Sequence, residues 1–274
     1  MGFFRGGCLR LTGAALATFA ASAGRLPAQS SVTVFAAASL TDAFTELGKR
    51  FEASRPGVRV QFNFAGSQQL ALQLQQGARA DVFAPADQRW MSAVKDSGLL
   101  PADPVIFAEN RLVVILPRSN PARIGRLEDL ARKGVKLVVA AEAVPAGRYT
   151  REMLQRLAAA PGFGLDYDAR VLGNVVSYED NVKGVVAKVQ LGEADAGVVY
   201  RSDASGAAGE SLKVIAIPEA ANPIATYPIA TLKGSPSPEL ARAFVDLVLS
   251  AEGQGVLTRF GLKPAPIGTG SSRP

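Results

Sequence analysis

The chain has 274 residues with 30 basic and 24 acidic side chains, a formal net charge of +6, one cysteine and no histidine. Without histidine, Ser-His-Asp catalysis and histidine-ligated metal centres are excluded, and a single cysteine excludes a disulfide framework. No basic run is interleaved with aromatic residues, so nucleic acid is a poor candidate partner.

The first 28 residues have the pattern of a secretion signal peptide. Arg5 and Arg10 precede the apolar stretch 11–21, and small residues follow it up to Ala28. We expect cleavage after Ala28, with Ala23 as the alternative. The apolar stretch is too short for a convincing membrane span, so no membrane insertion of the mature chain is expected.

Cleavage would change the properties of the working protein. Cys8 would leave with the signal, and 246 residues would remain with a charge of +3, from 27 basic and 24 acidic residues. That length suffices for one large or two small α/β domains. We therefore expect an exported, cysteine-free protein in the periplasm.

Strand and helix signals alternate along the mature chain, which predicts α/β architecture with helices on both faces of mostly parallel sheets. Apolar or alternating runs predict strands at 32–35, 58–64, 81–84, 111–116, 136–141, 196–200, 214–217 and 227–232. Helical spacing predicts helices from residue 40 onward and at 68–76, 87–96, 148–158, 180–192, 238–250 and 252–260. A tail rich in Gly, Ser and Pro, at 263–274, is expected to be disordered.

The first strand-to-helix junction consists of three alanines and Ser39. The spacing of Ser39 and Asp42 predicts a capping box, with Ser39 as the N-cap of the following helix. Small side chains allow close approach to the backbone, and helix-start amides bind anions. An ordinary N-cap without a ligand explains this junction equally well when it is taken alone.

Three later junctions repeat this chemistry. Ser67 is the predicted N-cap of the helix at 68–76, Ala146 enters the helix at 148–158, and Val182 opens the helix at 180–192. Tyr200 closes a buried strand and is either a core residue or a hydroxyl turned into a cleft. Because ligands of open α/β sheets bind beyond the strand carboxyl ends, the set indicates an anion site.

The ordered motifs FAAASL at 35–40, FAGSQQLALQLQQGARADVFAPAD at 64–87 and VPAGRY at 144–149, with the run 179–203, resemble the molybdate-binding proteins of ABC transporters. The resemblance covers roughly residues 32–262. It implies a two-lobed periplasmic binding protein fold of type II, with two hinge strands joining the lobes. Lobe 1 would be 29–111 with 225–262 and lobe 2 would be 112–224, so that the chain crosses near 110–113 and 224–228.

The resemblance also implies the ligand and its partners. Ser39 and Ser67 would each give a hydroxyl and an amide, Ala146 and Val182 their amides, and Tyr200 its phenol hydroxyl. These five residues would bind molybdate or tungstate as an oxyanion, without any direct bond between protein and metal and without another cofactor. A monomeric receptor would deliver the anion to the membrane permease of an ABC importer.

The chemistry of such a site agrees with the residues. Charge-assisted hydrogen bonds contribute about 1.5–3 kcal/mol each, and much of that offsets the dehydration of a dianion. A receptor for sulfate or phosphate is the alternative, with Asp180 as a candidate acceptor for a phosphate proton. Enzyme activity is disfavoured because the chain has neither a G-x-S-x-G motif nor a P-loop.

Three residues depart from the commoner pattern of the resembling family. Arg148 and Arg201 adjoin two proposed donors, and we expect both to be solvated at the rim of the cleft or to face away from it. Gly66 stands where relatives can have serine, which would loosen the turn before Ser67.

Overall fold

The computed structural model describes residues 1–3 and 30–265, without the side chains of residues 207 and 208. Nearly all of the predicted signal peptide and the end of the tail therefore lie outside the described residues. The strands are β1 (Ser30–Ala37), β2 (Val58–Ala65), β3 (Val82–Ala84), β4 (Val105–Pro117), β5 (Leu137–Ala140), β6 (Val175–Glu179), β7 (Ala196–Tyr200), β8 (Leu212–Ala216), β9 (Ile224–Thr231) and β10 (Lys263–Pro264).

The helices fill the intervals between the strands. They are α1 (Thr41–Ala53), α2 (Ser67–Gln75), α3 (Gln88–Asp96), α4 (Pro145–Ala158), α5 (Tyr167–Leu172), α6 (Val182–Gln190), α7 (Ala207–Glu210), α8 (Pro238–Leu249) and α9 (Ala251–Arg259). Three short 3-10 helices, Ala38–Leu40, Leu127–Ala131 and Arg201–Ala204, add to them. The predicted α/β alternation is thus confirmed over the described residues.

The strands form one sheet in the order β2-β1-β3-β9-β4-β7-β5-β6. Pairing is parallel at both ends, among β2, β1 and β3 and among β7, β5 and β6, and antiparallel around β9 and β4. Each end is therefore a mostly parallel unit, as predicted. The carboxyl ends of its parallel strands carry the junctions discussed above.

The long strand β4 joins the two ends of the sheet. From Val105 to Arg111 it pairs with β9, and from Leu112 onward it pairs with β7 and β8. This change of partner falls within the predicted crossing at 110–113. The division into lobes itself stays a prediction.

Buried apolar side chains hold the helices to the sheet. A cluster of aromatic rings, with Phe44 at its centre, lies between α1, α8 and the sheet, and the ring centroids of Phe44 and Phe244 are 5.8 Å apart. A smaller core around Leu70, Phe83 and Met91 packs α2 and α3 against the sheet. The apolar stripe of each helix thus fixes where its N-terminus lies.

Several elements differ from the sequence prediction. Strand β6 was missed because its half-buried positions carry Ser177 and Glu179, which bind Lys188, while Val176 and Tyr178 are exposed. Helix α5 was also missed, and β4 is much longer than the six residues predicted.

The predicted tail also differs from the structure at its start. Lys263 and Pro264 pair with Glu109 and Ala108 of β4, so these two residues are ordered strand rather than tail. The prediction for residues 266–274 lies outside the described part of the chain.

Candidate functional site

All five predicted donors lie around one small cleft, which leaves about 10 Å³ of space for a water-sized molecule. None of its lining residues has a charged side chain. They are Ala37, Ala38, Ser39, Ala65, Gly66, Ser67, Ala86, Val144, Pro145, Ala146, Asn181, Val182 and Tyr200. We call Ser39 and Ser67 with their neighbours the first side of the cleft, and Ala146, Val182 and Tyr200 with theirs the second side.

Ser39 lies on the first side, in the 3-10 helix that follows β1. The predicted capping box is wrong, because α1 begins two residues later, with Leu40 at the N-cap, and no side chain caps it. The buried Ser39 hydroxyl instead lies 3.0 Å from the hydroxyl of Tyr227 on β9. Ser39 is therefore held by a tertiary hydrogen bond rather than by its own helix.

Ser67 occupies the first turn of α2, and its predicted role as N-cap is also wrong. Gly66 is the N-cap, and Ser67 is the first helical residue. The amide of Ala86 donates to Ser67 Oγ at 3.0 Å, and Ser67 is only 1% exposed. Because the oxygen accepts this bond, the hydroxyl hydrogen stays available to an anion in the cleft.

Helix α4 brings Ala146 to the second side. Pro145 is its first residue, a position at which proline fits because the missing N–H has no partner there anyway. A side chain on Gly147 would collide with the carbonyl oxygens of Ala140 and Ala141 at the end of β5. Glycine thus lets the start of the helix approach the sheet closely, and the amide of Ala146, in the first turn, has no intrahelical acceptor.

Helix α6 brings Val182 to the same side. Its N-cap residue is Asn181, whose Oδ1 accepts the amides of Lys183 and Gly184 at 3.0 and 3.2 Å. The amide of Val182, the first helical residue, is not capped by these bonds. The starts of α2, α4 and α6 therefore all adjoin the cleft and offer amides and positive dipole ends to an anion.

Tyr200 completes the second side at the end of β7. It is 1% exposed, and its hydroxyl has no hydrogen-bond partner among the described residues. Burial raises the pKa of this phenol well above its usual value, so the hydroxyl remains a donor at physiological pH. A buried hydroxyl without a hydrogen-bond partner destabilises the fold, which indicates that a bound ligand supplies the missing partner.

A buried carboxyl lies directly behind Tyr200. Asp203 Oδ2 accepts the amide of Tyr200 at 3.1 Å, while Oδ1 has no partner within the described chain. Burial raises the pKa of Asp203 to about 7, and the charge of Lys183 acts in the opposite direction. This carboxyl does not line the cleft, so it offers no acceptor to a ligand there.

Besides a 3.4 Å hydrogen bond from Ser202 Oγ to the Ser39 carbonyl, four polar contacts join the two sides around the cleft. Two are neutral, from Gln68 Nε2 to the Asp180 carbonyl at 2.9 Å and from Trp90 Nε1 to the Ala143 carbonyl at 3.0 Å. Two are ion pairs, Lys183 with Asp42 at 2.9 Å and Arg148 with Asp87 at 3.3 Å. The cleft is therefore closed over in this structure.

Arg148 was expected to be solvated at the rim of the cleft or to face away from it, and the expectation is wrong in that its guanidinium is held in an ion pair. Its side chain is 37% exposed and pairs with Asp87, which is 1% exposed and also caps α3 through the amide of Trp90. Burial raises the pKa of Asp87, while the Trp90 amide and Arg148 lower it. Arg201, in contrast, is exposed and lines a different pocket, together with Arg111 and Lys263.

Gly66 has a steric role that the sequence did not indicate. Its φ and ψ of −62° and 139° suit any residue, so no special backbone conformation demands glycine. A Cβ at this position would instead collide with the carbonyl oxygen of Asp180, on the second side. Glycine at position 66 therefore allows the two sides to contact each other closely, rather than loosening the turn as predicted.

Asp87, Tyr227 and Asn181 contribute to the site, yet sequence reasoning assigned none of them a role. Asp87 and Tyr227 act through partners more than 60 residues away, which no local pattern reveals. Asn181 was visible as a polar residue before an apolar helix, the usual sign of an N-cap.

Two properties of the described residues bear on function. They contain no group of three or more His, Cys, Asp or Glu side chains that could hold a metal ion. Within the same residues, no helix has both the length and the apolar character needed to cross a membrane.

The chain belongs to the family of bacterial extracellular solute-binding proteins, whose model matches residues 32–263. It is 44% identical to the molybdate-binding protein ModA of Mycobacterium tuberculosis over 239 residues, 87% of each chain.

Solved structures share the fold. The substrate-binding domain of a putative molybdenum ABC transporter from Clostridium difficile has 30% identity and a TM-score of 0.62, covering 85% of this chain and 98% of that one. The sulfate-binding protein SubI of M. tuberculosis has a TM-score of 0.76 over 86% of this chain and 87% of that one, but 18% identity, and shows the fold alone. The predicted binding-protein fold is thereby confirmed.

Proposed function

We propose that the protein binds molybdate or tungstate, one anion per chain, in the cleft between its two sides. The observation that carries this proposal is the buried hydroxyl of Tyr200, which has no hydrogen-bond partner among the described residues and lines a cleft of neutral donors. The similarity to ModA supports the choice of anion. Ser39, Ser67, Ala146, Val182 and Tyr200 supply seven donors, and none of them bonds the metal.

The lining also argues against the phosphate alternative. A phosphate carrying a proton needs an acceptor, but the lining contains no carboxylate. Asp180, the acceptor considered from the sequence, is exposed and faces the first side through its carbonyl group. The role that follows is binding and delivery of an oxyanion rather than catalysis.

We further propose a periplasmic receptor that works as a monomer with the permease of an ABC importer. The secretion signal and the family support this setting. Segments 29–111 with 225–262 and 112–224 are the proposed lobes, and β4 and β9 are the proposed hinge strands. The four contacts across the cleft would form when the lobes close on the ligand.

Calorimetry of the mature protein against molybdate, tungstate, sulfate and phosphate tests the anion. We expect a stoichiometry of one for the first two anions, and no displacement of molybdate by equal concentrations of the others. Millimolar sulfate or phosphate that displaces equimolar molybdate would refute the proposal. Small-angle scattering tests closure, since a radius of gyration that is the same with and without saturating ligand would contradict it.

A further inference from the structure

A buried chain of hydrogen bonds leads from β4 and β9 to Ser39. Asn110 on β4 donates from Nδ2 to Ser202 Oγ at 2.9 Å, and Ser202 Oγ donates to the Ser39 carbonyl at 3.4 Å. The Tyr227 hydroxyl lies 3.0 Å from Ser39 Oγ. All four residues are less than 7% exposed, so water does not compete for these bonds.

The orientation of Asn110 gives this chain a direction. Its Oδ1 accepts the amide of Arg111 at 2.9 Å, which leaves Nδ2, a donor only, for the hydroxyl of Ser202. Either hydroxyl of the Ser39–Tyr227 pair could donate, but a Ser39 hydrogen given to an anion leaves Tyr227 as the donor to Ser39 Oγ. Burial raises the pKa of Tyr227 well above the usual value, so its phenol hydrogen is present at neutral pH.

The same arrangement exists at the other serine of the first side. Ser67 Oγ accepts the amide of Ala86, which can only donate. The oxygen of Ser67 is occupied by a protein donor, and Tyr227 can occupy that of Ser39 in the same way, which leaves each hydroxyl hydrogen for the cleft. The two bonds therefore turn flexible hydroxyl groups into fixed donors.

We propose that Tyr227 is a positioning residue of the anion site, which donates to Ser39 Oγ and thereby directs the Ser39 hydrogen at the bound oxyanion. The inference rests on the proposed function. It adds a residue that does not line the cleft. Without the phenol hydroxyl, the Ser39 hydroxyl would rotate freely. The entropy lost on fixing it toward the anion would then weaken binding.

A double-mutant cycle with Tyr227→Phe and Ser39→Ala tests this role by calorimetry with molybdate. We expect Tyr227→Phe to weaken binding about tenfold, the factor of a well-oriented hydrogen bond. In the Ser39→Ala background, the same change should weaken binding by less than about twofold, because the hydroxyl it orients is gone. A merely structural role would give equal factors in both backgrounds.

Tyr167→Phe is the matched control. Tyr167 is also a buried tyrosine whose hydroxyl is hydrogen-bonded, to the Leu127 carbonyl, but it is not among the residues that line the cleft. We expect its affinity for molybdate to stay within about twofold of wild type, since it loses a comparable bond elsewhere. Thermal unfolding of each variant would show that it is folded.

The outcomes separate the inference from the proposed function. If wild type binds molybdate and Tyr227→Phe binds equally well, or if the two changes are additive, the positioning role is overturned alone. If wild type does not bind, the proposed function fails and the inference with it. Should Tyr227→Phe not fold, the same cycle with Tyr227→Met replaces it, since methionine also removes the hydroxyl and fills irregular core space, with an expected loss of about tenfold in the Ser39-containing protein.

Discussion

The two sides of the cleft hold their donors in different ways. On the first side, the hydroxyl oxygens of Ser39 and Ser67 already take part in hydrogen bonds within the protein. On the second side, the Tyr200 hydroxyl has no hydrogen-bond partner in the part of the chain that the structure describes, and the Val182 amide lies outside the bonds that cap its helix. The hydroxyl groups of the first side are thus held in place before a ligand binds, whereas the donors of the second side depend on the ligand for a hydrogen-bond partner.

The largest expected effect concerns stability and pH on the second side. The pKa of Asp203 is raised from 3.8 to about 7, so the folded protein keeps a proton that the unfolded chain releases. The free energy of unfolding should therefore fall as pH rises from about 4 to about 7, by at most about 1.4 kcal/mol per pH unit. Well below pH 4, Asp203 is protonated in both the folded and the unfolded chain, so no stability is lost through its ionisation.

Asp203→Asn should flatten this part of the pH profile, measured by urea unfolding at several pH values. Asp103→Asn is the control, because Asp103 is exposed and pairs only with Lys95 at the surface. Parallel profiles for wild type and Asp203→Asn would show that Asp203 is charged in the folded protein at neutral pH. The second side would then not lose stability through Asp203 as the pH rises.

The next largest effect is expected for Val182→Pro, which deletes the amide but keeps the helix. Val182 is the first residue of α6, where proline is favoured, and Asn181 before it is extended, with φ −163° and ψ 169°. Molybdate affinity should fall about tenfold to a hundredfold. Val182→Ala keeps the amide and should bind almost normally in the same calorimetric titration.

Ser67→Ala and Tyr200→Phe test the contrast between the sides directly. Each removes one hydroxyl, and each should lower molybdate affinity about tenfold or more. Without ligand, however, the two variants should differ in stability. Ser67→Ala leaves the Ala86 amide without its acceptor and should lower stability by about 1–3 kcal/mol. Tyr200→Phe removes a hydroxyl that bonds to none of the described residues, so it should not lower stability.

Thermal unfolding with and without molybdate measures both effects in one experiment. Equal losses of unliganded stability in Ser67→Ala and Tyr200→Phe would contradict the difference drawn between the two sides. Normal affinity in both variants would instead remove the hydroxyl groups from the site.

The smallest effects are expected for the ion pairs across the cleft. Arg148→Ala leaves the buried Asp87 without its cation, and we expect release of molybdate to become about three- to tenfold faster. Lys183→Ala breaks a more exposed pair and should change release by less than about threefold. Stopped-flow kinetics would distinguish this from a solvated rim charge, whose loss would slow association instead.

Much of the fold could be predicted because it depends on local patterns. Near-continuous apolar runs predicted β5 and β7, and periodic apolar residues predicted α8 and α9 close to their observed bounds. Strand β6 could not be predicted, since its polar residues face inward toward Lys188.

The candidate site was predictable to a similar extent. Small residues before helices indicated the junctions that meet in the cleft, but not the partners of their side chains. The capping predictions for Ser39 and Ser67 failed because Tyr227 and the Ala86 amide, distant in sequence, bind these hydroxyl groups. The partner of Arg148 was hidden for the same reason, as Asp87 precedes it by 61 residues.

The absence of a side chain at Gly66 affects how slowly the bound anion dissociates from the protein. Asp180 and Gln68 meet where a Cβ of residue 66 would lie, so the bond between them exists only while that space is empty. A methyl group there would keep the two sides apart without touching a single proposed donor. The lifetime of the bound state is therefore set in part by residue 66, independently of the chemistry that recognises the anion.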